Sequence, residues 1–252
     1  MTLKKYEKEV QQSLLNSEEE VIKELEKTYK TALKDINGKI EGLMARQDAD
    51  MQHVIYQVEY QKALKKEIEG ILDVMNTEQF STISDYLVKC YEEGFMGTMY
   101  SLQQQGIPLC FPLDQEAMVR AIQLDSKISK GLYTRLGEDV GVLKKRITSE
   151  VTRSIATGSS WGQVAKRLAG QTKIGYNKAV RIARTEGHRI QCTAAMDAAY
   201  QAKERGADVL KQWNATLDDV TRESHMQVDG EIRELDKPFS NGLMFPGDPA
   251  GS

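Results

Sequence analysis

Apolar residues recur at helical spacing along most of the first 205 positions. Over residues 3–45, Leu3, Tyr6, Val10, Leu14, Val21, Leu25, Leu33, Ile36, Ile40 and Leu43 stand about three or four apart or at multiples of that spacing, with Lys and Glu between them, which predicts one long amphipathic helix. Its heptad register drifts and Asn37-Gly38 interrupts it, so packing in a bundle is expected rather than a dedicated coiled coil. A second helix is expected over 50–75 through Val54, Ile55, Val58, Leu64, Ile68, Ile71 and Leu72. Asn76 or Thr77 can cap a third over 78–105, and Gly106 can end it. The segment GIPLCFPLD at 106–114 contains two of the five prolines and breaks the pattern. Asp114 then caps a short helix with Glu116 in its first turn, where a carboxylate suits the helix dipole. Helical spacing resumes over 130–157, with Leu132, Leu136, Val140, Leu143, Ile147, Val151 and Ile155 facing inwards and Gly158 as a stop. Ser159 or Ser160 starts WGQVAKRLAG, which Gly170 ends, and a further helix runs over 174–205 to a stop at Gly206.

Beyond Gly206 the periodicity changes. VLKQWNAT and EIREL read as strands, DDVTRESHMQV as a turn or short helix capped by Asp218 or Asp219, and KPFSNGLMFPGDPAGS as loop. The expected fold is mainly α: a long-helix bundle followed by a small α+β module with a short two- or three-stranded antiparallel sheet. The natural divisions are a long-helix region at 1–113, a basic helical domain at 114–206 and the strand and turn module at 207–252.

Glu186 disturbs the last long helix. Ala179, Ile182, Ala183, Ile190 and Ala194 form one apolar face, and Glu186 falls in its middle. A carboxylate there requires a partner. Arg222 and the amides of the capped 218–227 turn are the nearest candidates, so Glu186, Arg222, Asp218 and Trp213 are read as a clamp joining helix to module. A competing reading assembles Glu186, Asp218, Asp219, His225 and Asp229 into an acid–base site, and makes the chain a metal-dependent nuclease or toxin-like enzyme centred on Glu186, His225 and Asp229. Each of those residues also has an ordinary structural role: Asp218 as a cap, Asp229-Gly230 as a tight turn, His225 as a satisfied polar group. His188 and Cys192, four apart, are half of a zinc site for which His225 is a third candidate. No CxxC, HExxH, GxxxxGK[ST] or GxGxxG occurs, and neither a metal nor another cofactor is expected.

Composition alters this picture in one respect. The 252 residues are 40% hydrophobic and 28% charged, ordinary for a soluble protein. No apolar run reaches 18 residues and the first ten lack a signal-peptide core, so the cytoplasm is the default compartment and a membrane partner is not expected. Cys90, Cys110 and Cys192 are scattered and odd in number, which suits reduced thiols. The net charge of −3 conceals a basic block: residues 120–190 carry 15 Lys and Arg against 5 Asp and Glu. Arg135, Lys144, Lys145, Arg146, Arg153, Lys166, Arg167, Lys173, Lys178, Arg181 and Arg184 are candidates for salt-sensitive, non-specific contact with duplex phosphates. The competing explanation is a helical scaffold for protein partners whose basic faces are neutralised by acidic neighbours.

With ARTEGHRIQ at 183–191, WNATLDDVTRESHMQVDG at 213–230 and FSNGLMFPGDPAG at 239–251 in view, the chain resembles the phage Mu F-like family of minor head, or head morphogenesis, proteins. The order of long helical region, helix with an Arg-Thr-Glu core and short Trp-to-Gly module matches as well. The resemblance implies a non-enzymatic virion protein of a tailed phage, in few copies in the head interior or at the portal vertex and in the host cytoplasm during assembly. It implies the portal protein, packaged double-stranded DNA and scaffolding or capsid protein as partners, and a role in DNA packaging or ejection. Related modules are also found fused to toxin domains. Family members continue past the Gly-Asp-Pro segment to a Cys-Arg-Cys-like end, so a shortened module is expected here, without ligands from that end.

Overall fold

The computed structural model describes residues 5–44, 54–107, 112, 116–118, 127–156, 161–215 and 221–248. The elements are α1 (Lys5–Met44), α2 (Val54–Gln104), α3 (Lys127–Ala156), α4 (Trp161–Glu204), β1 (Leu210–Gln212), a one-turn α5 (Glu223–Met226) and β2 (Ile232–Glu234). The expected mainly α fold is present. Its sheet has two strands among the described residues, antiparallel, with Leu210 opposite Glu234, Lys211 opposite Arg233 and Gln212 opposite Ile232. No described helix is long and apolar enough to cross a membrane.

Three expected interruptions are absent. Asn37-Gly38 lies inside α1, Asn76-Thr77 inside α2 and Gly170 inside α4. At Asn76-Thr77 the polar side chains serve the helix they were expected to cap. The Thr77 hydroxyl donates to the Asp73 carbonyl one turn back at 3.1 Å, and Gln79 Nε2 donates to Asn76 Oδ1 at 2.8 Å. Buried Leu72, Met75, Gln79 and Ile83 keep one face of α2 in the core through this stretch, and tertiary burial outweighs local capping preference. Around Gly170, buried Leu168 and Thr172 do the same, with the Thr172 hydroxyl donating to the Leu168 carbonyl at 2.9 Å. The expected stops at Gly106 and Gly206 hold, at φ of 88° and 90°. Each is followed by an amide bonded five residues back, Ile107 to Leu102 and Ala207 to Ala202, both at 3.1 Å, the pattern in which glycine relieves a left-handed helix end. The expected caps Asp114, Ser159, Ser160, Asp218 and Asp219, and the stop at Gly158, lie outside the described residues.

Contacts group the chain into two units, each assembled from separate stretches. One contains 19–84 and 128–183; the other contains 1–18, 85–127 and 184–252. In the first, ion pairing of Lys39 with Glu67 and the Tyr29–Gln79 hydrogen bond set the α1 and α2 segments antiparallel, and Lys178–Asp139, Arg146–Gln171 and Arg167–Glu150 do the same for α3 and α4. Leu25, Ile36, Ile68, Leu72, Leu136, Ile147 and Leu168 fill its core. Tyr29 is buried with its hydroxyl donating to the equally buried Gln79 at 2.7 Å and its ring edge-on to Tyr176.

In the second unit, Tyr91, Phe95, Ile190, Ala194 and Ala198 are buried, and the Tyr91 hydroxyl donates to Asp197 at 2.6 Å. Small residues let α2 and α4 approach closely. A β-carbon on Gly94 would lie 2.7 Å from the Gln191 carbonyl oxygen and 3.2 Å from the Ala194 methyl. Gly94→Ala is therefore expected to destabilise by about 1–3 kcal/mol through overpacking. Gly70→Ala, in an interior of α2 with nothing within 4 Å of the added carbon, should instead stabilise by about 0.5–1 kcal/mol. Chemical denaturation of the two variants checks this contrast, and equal shifts of one sign would contradict it.

Candidate functional site

The strand alternation that exposes Leu210 and Gln212 turns Lys211 and Trp213 inwards. Trp213 is the centre of the small carboxy-terminal core, with Val228 and Phe239 buried beside it and Ala215 and Leu243 at its margin. The Phe239 ring meets it edge-on at 5.0 Å between centroids, and the His225 ring does so at 5.2 Å. The loop around this core closes by backbone bonds: Trp213 N–H to the Glu231 carbonyl at 2.9 Å, and Gly230 N–H to the Trp213 carbonyl at 2.8 Å. Asp229 Oδ1 accepts the Ala215 amide at 2.8 Å. Glu231 accepts both the amide and the hydroxyl of Ser240 and pairs with Arg233.

Lys211 is the member of this core that the sequence reading did not single out. Its buried ammonium donates to the Leu235 and Met244 carbonyls, each at 3.0 Å, and lies 5.1 Å from the Phe239 ring centre. Loss of hydration lowers its pKa, while the two carbonyls and the ring supply partners that water would otherwise provide. The Tyr200 hydroxyl of α4 donates to the same Leu235 carbonyl at 2.8 Å, so one carbonyl ties β1, the loop and α4 together. The available signal was its place two residues before a strand tryptophan, on the same side of the strand.

Glu186 is buried, as its position on an apolar face requires, at 3% exposure. One partner lies on its own helix. Arg189, three residues along α4 and 5% exposed, donates through Nε to Glu186 Oε2 at 3.0 Å. Arg222 is exposed at the N-cap of α5 and makes no side-chain cap bond. A guanidinium on the same helix, one turn away, is already positioned for the carboxylate. The module still reaches this pair: a β-carbon on Gly247 would stand 3.3 Å from Arg189 Cα. Asp218 lies outside the described residues.

The residues of the nuclease reading have other occupations. Glu186 pairs with Arg189, His225 stacks edge-on against Trp213, and Asp229 holds the Ala215 amide. Among the described residues no three His, Cys, Asp or Glu side chains converge as metal ligands do. His188 Nε2 and Cys192 Sγ are 3.8 Å apart as their spacing predicts. Burial pushes the Cys192 thiol up to about 12 and the Cys90 thiol likewise to about 12. His188 and Cys192 border a cleft of 820 Å³ together with Leu14, Gly97, Leu210 and Phe245.

The basic candidates divide by their neighbours. Lys144 is paired with Asp73, Arg167 with Glu150, Lys178 with Asp139 and Arg184 with Glu18. Those four charges are largely compensated in place, as the scaffold explanation requires. Arg135, Lys145, Arg146, Arg153, Lys166, Lys173 and Arg181 are exposed.

Comparison with known proteins matches residues 145–251 to the family described as Phage Mu protein F like protein. Minor head protein GP7 of Bacillus phage SPP1 is 25% identical over 224 residues, covering 87% of this chain and 72% of that protein. The NAD(+)--arginine ADP-ribosyltransferase EFV of Enterococcus faecalis is 29% identical over 243 residues, 94% of this chain but 49% of that protein. The chain thus spans about half the length of that relative. No solved structure matches. The match covers the basic end of α3, all of α4 and the Trp213 module, and over that region the chain is similar to the phage Mu F-like family.

Proposed function

We propose that the chain is a minor head protein of a tailed phage, that it associates with the portal vertex during head morphogenesis, and that its basic helices contact packaged DNA without reading sequence. A structural role in the phage head is the coarse reading that the family carries. The observation that supports it most is the match of 145–251 to the Mu F-like family together with a named minor head protein aligned along most of its own length. The protein then resides in the virion, with scaffolding or capsid protein as further neighbours. Mixing the purified chain with the portal ring should give a complex that co-elutes on a sizing column. Separate elution of both under assembly conditions would remove the portal association.

A second reading has one specific observation behind it, the likeness to a protein named as an arginine ADP-ribosyltransferase. This chain aligns almost end to end with both relatives yet spans only about half of the transferase. A head protein and a transferase that share this whole region are most simply explained if transfer chemistry belongs to the other half of the longer protein. Incubation with labelled NAD⁺ and an arginine-rich acceptor is therefore expected to give no transfer. Label on the acceptor, abolished by Glu186→Gln, would establish the enzymatic reading instead.

A further inference from the structure

The strand β1 is paired on one side only. The sheet has two strands among the described residues, so β1 has a free edge as well as one bonded to β2. The Trp213 amide bonds the Glu231 carbonyl, and in an antiparallel pair residues two apart turn their backbone groups the same way. Trp213 and Lys211 thus face β2, which leaves the amides and carbonyls of Leu210 and Gln212 on the free edge. Among the described residues no loop or helix bonds to that backbone. The edge looks into the 820 Å³ cleft, which lies within one of the two units of the chain. Leu210, Lys211 and Gln212 all line it, although their side chains alternate across the strand, and no residue of β2 does.

We infer that this cleft holds an extended, uncharged apolar segment of a partner protein, which adds to the free edge of β1 as a third strand. The backbone of Leu210 and Gln212 offers that segment a donor and an acceptor from each residue. Strand addition of this kind draws affinity from main-chain bonds and specificity from pockets for alternate side chains. The rest of the lining provides such pockets: Leu14 and Leu15 of α1, Leu102 of α2, Met196 of α4 and Phe245 of the closing loop are apolar, and Leu15 and Leu210 are still 48% and 58% exposed. The charged residues of the lining are already engaged. Glu18 accepts from Arg184 at 2.8 Å, and Lys211 donates to two carbonyls, so a charged segment would lose its hydration there without gaining a counter-ion. Loss of hydration also lowers the pKa of His188, which favours its neutral form. Gln11, Gln105, Gln191 and Asn214 supply neutral groups able both to donate and to accept, as a peptide backbone does. The inference depends neither on DNA contact nor on the portal.

The test pans a displayed library of random ten-residue peptides against the full chain and measures binding of an enriched peptide, carrying a fluorophore, by anisotropy. Enriched sequences should be uncharged, with aliphatic or aromatic residues at alternate positions. Methylating the peptide's backbone nitrogens one at a time should weaken binding about tenfold at every second position, where the N–H meets β1, and little at the positions between. Leu210→Asp should weaken binding at least about tenfold, since a charge then enters the apolar lining; the side chain is 58% exposed, so the fold tolerates it. Ile232→Asp is the control, 57% exposed on β2 but outside the cleft, and should bind as the wild type does. No enrichment over the unselected library, enriched peptides rich in charge, or equal loss from methylation at every position, as a helical occupant gives, would overturn the inference. So would binding unchanged by Leu210→Asp, or binding lost in Ile232→Asp.

Discussion

Arg189→Ala is expected to lower the stability of the protein by about 3–5 kcal/mol, the cost of leaving one member of a buried ion pair without the other. In a chain of 252 residues a loss of that size moves the melting temperature by roughly 10 °C, at about 2–4 °C per kcal/mol. Arg189 and Glu186 are both almost fully buried, and the Nε to Oε2 bond between them is 3.0 Å long. Neither side chain can turn to water when the other is removed, so the remaining charge loses its ion-pair partner while still buried, or the local structure must open. Glu186→Ala should cost a similar amount. Replacing both together, with Glu186→Leu and Arg189→Met, should recover most of the loss, because well-packed apolar side chains of like volume substitute for a buried pair. Arg222→Ala is the control: the side chain is exposed and should shift stability by no more than about 0.5 kcal/mol. Thermal melts of these variants weigh Arg189 against Arg222. A large loss for Arg222→Ala with none for Arg189→Ala would reverse the assignment.

Trp213→Ala should cost about 3–5 kcal/mol as well, the usual loss when a buried aromatic side chain is truncated, and its effect should be local. Trp213 is 1% exposed and touches rings on two sides, Phe239 at 5.0 Å and His225 at 5.2 Å. Val228 and Phe239 are the other buried members of that cluster, a core too small to close over the missing indole. Hydrogen exchange should accelerate across 210–215 and 228–243, and proteolysis should begin in the same stretch, while helical signal from α1 to α4 persists. Trp213→Phe should retain most of the protection. Unchanged exchange in the module, or loss of helix throughout, would show that the tryptophan does not act where its contacts place it.

How much of this was legible in sequence depended on how far each signal acts. Helix positions followed from apolar spacing, and the glycine stops at Gly106 and Gly206 followed from backbone chemistry confined to a few residues. The false breaks at Asn76-Thr77 and Gly170 had equally good local chemistry. They failed because buried Gln79 and Leu168 commit both flanks of those sites to one continuous core face, and that commitment is set by other helices. Glu186 shows the same division. Its burial was readable from the face it occupies; its pairing with Arg189 was not, because Arg189 on the same helix and Arg222 beyond β1 are equivalent in charge. Lys211 was missed since a lysine in a strand is ordinarily solvated, and only the closing loop brings the Leu235 and Met244 carbonyls to its ammonium. The basic block was visible as composition, whereas the pairing of Lys144, Lys178 and Arg167 required the acidic positions Asp73, Asp139 and Glu150 to be placed beside it.

Whether the chain is built into phage heads is tested most directly by the protein content of purified particles. Heads isolated by density gradient from a lysate in which this chain is expressed with its own phage should contain its peptides by mass spectrometry. They should appear at a few copies per portal ring and remain after washing in moderate salt. Particles free of the chain, with all of it recovered in the soluble fraction of the lysate, would contradict the account of it as a minor head protein.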